Sequence, residues 1–118
     1  MSNKMKKLLE EMEDFSLSEK VYTVDEIKKM LEEILKEQPV YHVVLFGSYA
    51  KKKANKKSDI DLVVDTHSEL KGFALLKLFS IIEEKMQKEI DGFEKYEIIM
   101  DSPIDKEIKK TGVVVYEK

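Results

Sequence analysis

Residues 43–65 read VVLFGSYAKKKANKKSDIDLVVD. Val43 to Phe46 and Ile60 to Val64 are short, nearly unbroken apolar runs rich in β-branched residues, the composition of strands buried on both faces. The first run ends on Gly47-Ser48, and Asp59 and Asp61 stand at the start of the second. Ten residues separate Ser48 from Asp59, and five of them are lysine. Side chains alternate along a strand, so Ile60, Leu62 and Val64 share one face, while Asp59, Asp61, Val63 and Asp65 share the other.

Residues two apart on a strand lie roughly 6 to 7 Å apart at Cα, close enough for the Asp59 and Asp61 carboxylates to converge on shared ions. Two like charges about 6 Å apart at an effective dielectric near 20 repel by roughly 2 to 3 kcal/mol, and a divalent cation removes that cost. An all-oxygen donor set suits Mg²⁺ or Mn²⁺. Gly47 lets a phosphate approach the backbone, where the following amides and the Ser48 hydroxyl can donate to it. A phosphate cradle facing a carboxylate pair is what phosphoryl and nucleotidyl transfer require, since those reactions depend on alignment and charge neutralisation.

The flanking chain reads as scaffold. Residues 3–15 place Met5, Leu8, Leu9, Met12 and Phe15 on one helical face. A second helix starts at Thr23 with Glu26 as a capping box, carries a stripe from Val24 to Leu35 and stops before Pro39. Tyr41 to Phe46 and Asp59 to Asp65 are strands. A short helix follows Gly47-Ser48, and Asn55 to Ser58 is a turn. Thr66 or Ser68 caps a long helix bearing Leu75, Leu78, Phe79, Ile82 and Met86, widened by Phe73, Ala74 and Ile81. Asp91-Gly92 is a turn signal, Lys95 to Met100 alternates as a third strand, and Ser102-Pro103 opens a last helix closed by Gly112 ahead of a strand from Val113 to Tyr116. The expected architecture is one mixed α/β (α+β) domain over residues 1–118: a helical pair in 1–38, then a core in 40–117 with a small mixed sheet and helices packed on it.

The chain has 118 residues, of which 38% are charged, with a net charge of −3. Such balance gives no global field for nucleic acid or anionic membranes, so broad nucleic-acid binding is not expected. There is no cysteine, which excludes disulfides, thiolate metal sites and a cysteine nucleophile. No apolar segment approaches the roughly 20 residues of a membrane helix, and a cytoplasmic protein is expected. Lys51, Lys52, Lys53, Lys56 and Lys57 read as a solvated loop, with Lys51, nearest the motif, the exception. His42 alternates with Val44 and Phe46 and reads as structural, and His67 sits in a loop. Two histidines make neither a zinc site nor a triad centred on Ser48 persuasive.

Gly47-Ser48, a ten-residue spacer and Asp59-Ile60-Asp61-Leu62 resemble the signature of the minimal nucleotidyltransferases (MNT) of the DNA polymerase beta-like superfamily. The likeness runs from about Val40 to Tyr116 and implies that superfamily's fold. It also implies a third acidic residue on the later strand; Glu97, before Ile98-Ile99, is the residue in the matching place, with Glu94 and Asp101 the nearest substitutes. Glutamate is a departure there, one methylene longer than the usual aspartate. Lys51 stands where the family often has arginine, keeping a phosphate-directed charge without the bidentate fork. The implied catalytic and metal set is Asp59, Asp61 and Glu97 around two Mg²⁺ ions, with Gly47, Ser48 and Lys51 on the nucleotide and ATP as substrate. In small members of this kind, the MntA-type antitoxins of HEPN/MNT pairs, the partner is a HEPN-type toxin that the antitoxin adenylylates. With no room expected for an acceptor-binding domain, the acceptor would arrive on another chain; self-association is left open. The alternatives are a non-catalytic antitoxin with a degenerate site, and action on RNA or a small molecule.

Overall fold

The computed structural model describes residues 19–118, so the helix expected over residues 3–15 lies outside the described residues. Helix α1 (Val24–Leu35) begins at the expected capping box. Thr23 Oγ1 accepts from the Glu26 amide at 3.1 Å, and Glu26 Oε1 accepts from the Thr23 amide at 3.0 Å. Its stripe of Ile27, Leu31 and Leu35 is wholly buried, each side chain contributing about 1.5 to 3 kcal/mol by leaving water. Strand β1 (His42–Phe46) leads directly into the single-turn helix α2 (Gly47–Ala50). The turn over Asn55 to Ser58 closes through the Ser58 amide to the Asn55 carbonyl at 3.0 Å, and β2 (Ile60–Asp65) follows.

Helix α3 (Phe73–Met86) then crosses to β3 (Ile90–Glu94), which runs parallel to β2. A 3₁₀ turn (Lys95–Glu97), helix α4 (Pro103–Thr111) and β4 (Val113–Glu117) complete the fold. The sheet order is β3-β2-β1-β4, with β1 antiparallel to both β2 and β4. Helices α1 and α3 cover one face, where Val43, Leu45, Ile60, Leu62 and Val64 join their buried stripes in a single core. The other face carries His42, Val44 and Phe46 from β1 opposite Asp65, Val63 and Asp61 from β2. It is bordered by α4, which packs on β1.

Three expectations need correction. Asp91-Gly92 is inside β3, not a turn: an added Cβ at Gly92 would collide with the Phe79 ring, so this glycine lets α3 approach the sheet. Lys95 to Met100 is not a strand. The buried Glu94 carboxylate accepts from the Tyr96 amide at 2.7 Å, and Glu97 Oε1 accepts from the Glu94 amide at 2.8 Å, closing the chain into the 3₁₀ turn. Nor do Thr66 or Ser68 start the long helix. The Thr66 hydroxyl donates to Glu94 at 2.9 Å, and α3 begins at Phe73 behind Gly72. Phe73 and Ala74, expected to widen its buried face, are exposed.

Candidate active site

The site forms where β1 ends beside the start of β2. Phe46 pairs with Asp61 across the antiparallel ladder, so the chain leaves β1 at Gly47 directly beside the Asp61 carboxylate. Gly47 has φ +72°, a conformation that side chains disfavour, and an added Cβ would overlap Asp61 Oδ2. Glycine is thus required twice over. The Gly47 amide donates to Thr111 Oγ1 at 3.2 Å, and that hydroxyl donates to the Glu107 carbonyl at 2.8 Å, which ties α4 to the turn. Phe46, at the N-cap of α2, makes no side-chain cap bond, so beyond the Gly47 amide taken by Thr111 the first-turn amides are left for solvent or an anion. Those amides, and not the small dipole of one turn, are what it offers.

On the other side of Asp61 the parallel register places Asp91 of β3 directly opposite, near enough to act on the Asp61 carboxyl. Asp59 stands just before β2, near Ser58, Lys56 and the buried Lys88. Burial first, then the charges of Asp91, Asp59 and Glu107, push the Asp61 carboxyl from its usual value near 3.8 up to about 6. Negative charge is concentrated against a half-buried group.

Among the described residues, no three acidic or histidine side chains could hold a metal ion as they stand. The donor chemistry nevertheless fits one: Asp61 faces the charges of Asp91 and Asp59, a repulsion that a hard cation would relieve, and every donor is an oxygen.

A family model described as polymerase beta, nucleotidyltransferase matches residues 25–118. The chain belongs to this family. Two proteins of Methanocaldococcus jannaschii provisionally named protein adenylyltransferases are similar to it. MJ1217 is 32% identical over 73 residues, covering 58% of this chain and 74% of its own. MJ0435 is 34% identical over 68 residues, covering 58% and 73%. The polymerase beta-like fold is shared with solved structures at lower identity. One described as a toxin-antitoxin with AMP-PNP has a TM-score of 0.66 and 17% identity over 77% of this chain and 73% of that one. Another, the tri-AMPylated HEPN toxin of Shewanella oneidensis in complex with its MNT antitoxin, has a TM-score of 0.59 and 16% identity over 78% and 71%.

In this nucleotidyltransferase Gly47 lies against Asp61, Ser48 follows it in the chain, and Asp59 is near enough for its charge to act on Asp61; Glu97 is not among them. Glu97 lies beyond the far end of β3, six residues past the position opposite Asp61, where its carboxylate closes the 3₁₀ turn. Glu94 is occupied by Thr66 and Tyr96. Asp101 precedes α4, its amide donating to Asp105 at 2.9 Å. The carboxylate set opposite Asp61 is instead Asp91, which no sequence motif singles out. Its signal was the alternation Ile90-Asp91-Gly92-Phe93, one carboxylate in a β pattern, which the Asp-Gly dipeptide disguised as a turn. Lys51, expected on the nucleotide, lies 3.3 Å from Glu107, close to the carboxylates and partly neutralised. Among the described residues, no helix is long and apolar enough to cross a membrane.

Proposed function

We propose that this nucleotidyltransferase moves the adenylyl group of ATP to a hydroxyl on a partner protein in the cytoplasm, and that the partner is a HEPN-type toxin which it restrains as an antitoxin. The observation that carries the catalytic part is the half-buried Asp61 carboxyl with Gly47 pressed on one side and Asp91 in register on the other. The named activities of the similar M. jannaschii proteins and the toxin–antitoxin assemblies that share the fold support the acceptor class.

Asp59, Asp61 and Asp91 would hold Mg²⁺ or Mn²⁺, as one ion or a pair, and a bound cation would neutralise the phosphates and lower the Asp61 pKa. Gly47 and Ser48 receive the β- and γ-phosphates, the first through absence of a side chain and the second through its amide and hydroxyl. Lys51, held near Glu107, draws the outer phosphate toward the site. The acceptor oxygen bonds to the α-phosphorus as the bond from that phosphorus to the bridging pyrophosphate oxygen breaks. Pyrophosphate leaves with that electron pair, and the acceptor proton passes to a carboxylate, for which the exposed Asp91 is best placed.

The test is transfer of label from [α-³²P]ATP with Mg²⁺ to a purified HEPN-domain protein. Labelled HEPN protein is the expected result. Neutralisation of the toxin with no label incorporated would instead make the chain a binding module with a degenerate site, and label appearing on RNA alone would move the acceptor to another class.

A further inference from the structure

Beyond Asp61, away from the Gly47 turn, the open sheet face continues into a groove of about 420 Å³. Its floor is Val44 and Val63; Ile98 and Met100 form one wall and Ile108 of α4 the other. Met100 and its neighbour Ile99 are 78% and 74% exposed, so an apolar shelf adjoins the mouth. Lys95 lies 3.8 Å from Asp65 and Lys109 lies 2.9 Å from Asp105. Both lysines lining the groove are thus matched by carboxylates, which leaves little net charge to attract a phosphate. Its chemistry suits a neutral, largely apolar group.

The position of the groove says which group. Because β1 and β2 are antiparallel with Phe46 opposite Asp61 and Val44 opposite Val63, the order along β2 is Gly47-Ser48, then Asp61, then the groove. At about 3.3 Å per residue, the groove floor at Val63 lies roughly 7 Å past Asp61. In a transfer centred on Asp61, the leaving pyrophosphate and the attacking oxygen occupy opposite ends of a line through the α-phosphorus. With pyrophosphate held at Gly47-Ser48, the attacking group comes from the groove. The nucleoside, attached through an equatorial oxygen, departs to the side.

Resting on the proposed adenylyl transfer, we infer that this groove is the acceptor subsite: it takes a hydroxyl-bearing side chain of a protein segment with apolar neighbours, which lie on Ile99 and Met100. The nucleobase is bound elsewhere. Full-length protein with methyl-labelled Met and Ile, titrated with AMP-PNP and Mg²⁺, tests this by NMR. The nucleotide is expected to shift the Ser48 and Asp61 amides and to leave the Met100 and Ile108 methyl signals unmoved. In the companion kinetics, Met100→Glu, a change at an exposed position, is expected to raise KM for a HEPN-domain acceptor by about tenfold or more with AMP-PNP affinity unchanged. Methyl shifts at Met100 and Ile108 with nucleotide alone, or a variant that binds AMP-PNP more weakly but keeps its acceptor KM, would assign the groove to the nucleoside and overturn the inference. A variant with both constants unchanged would also overturn it. No binding of AMP-PNP at all would sink the underlying adenylyl-transfer reading instead.

Discussion

Replacing Asp61 by Asn should stabilise the cation-free protein while abolishing transfer. The folded protein holds the Asp61 carboxyl at about 6, against about 3.8 unfolded, so the native state binds the proton more tightly and stability falls as pH rises from about 4 through 6. The full shift corresponds to about 3 kcal/mol above both values. Asp61 is only part-buried, and solvent screening reduces this to about 1 to 2 kcal/mol. Asn removes the charge and keeps the shape. For 118 residues the entropy of unfolding converts each kcal/mol into about 4 °C, so Asp61→Asn should melt about 4 to 8 °C above wild type at pH 7.5 in EDTA. That gap should narrow as pH falls from 6 and close near pH 4, where the wild-type carboxyl is neutral in the folded and unfolded states alike. Adding Mg²⁺ should raise the melting temperature of the wild type and not of the variant. Thermal melts monitored by circular dichroism across pH, with and without Mg²⁺, read all three effects. An Asn variant less stable than wild type at pH 7.5, or a difference independent of pH, would refute the claim that Asp61 is held charged against its neighbours.

Gly47→Ala should lose about 1 to 3 kcal/mol in denaturant unfolding, from the positive φ and the overlap with Asp61 Oδ2, and most of its transfer activity. A variant that unfolds like wild type would show that the turn relaxes freely. Glu94→Ala removes a carboxylate that is 1% exposed and accepts from Thr66 and Tyr96. Stranding those donors should cost about 2 to 4 kcal/mol by urea titration, and amide exchange over residues 95–100 should quicken more than at β1. Lys51→Ala should raise KM for ATP by a few fold, with kcat little changed, because a point charge near the outer phosphates acts mainly on binding.

What could be read from sequence was what local chemistry controls. Thr23 and Glu26 cap α1 because both halves of that exchange lie within one turn, and Gly47-Ser48 with Asp59-x-Asp61 is legible because the two strands carrying it are apolar and short. The third carboxylate was not legible at Asp91, since Asp-Gly favours turns locally and only the approach of Phe79 explains a glycine inside β3. Lys95 to Met100 alternates like a strand, yet the carboxylates of Glu94 and Glu97 bond the neighbouring amides first and fold the segment into a turn. Thr66 has the residue type of a helix cap, but a partner 28 positions away takes its hydroxyl. At Gly92 and Thr66 a long-range partner overrode a sound local preference, and at Lys95 to Met100 one local preference overrode another.

The most direct measurement is the intact mass of a HEPN-domain partner after incubation with ATP, Mg²⁺ and each form of the chain. Wild type is expected to add adenylyl groups, Asp59→Asn, Asp61→Asn and Asp91→Asn to add none, and Glu97→Gln to retain the modification. An unmodified partner with wild type, or a modification that survives Asp91→Asn and disappears with Glu97→Gln, would contradict an active site built on Asp59, Asp61 and Asp91.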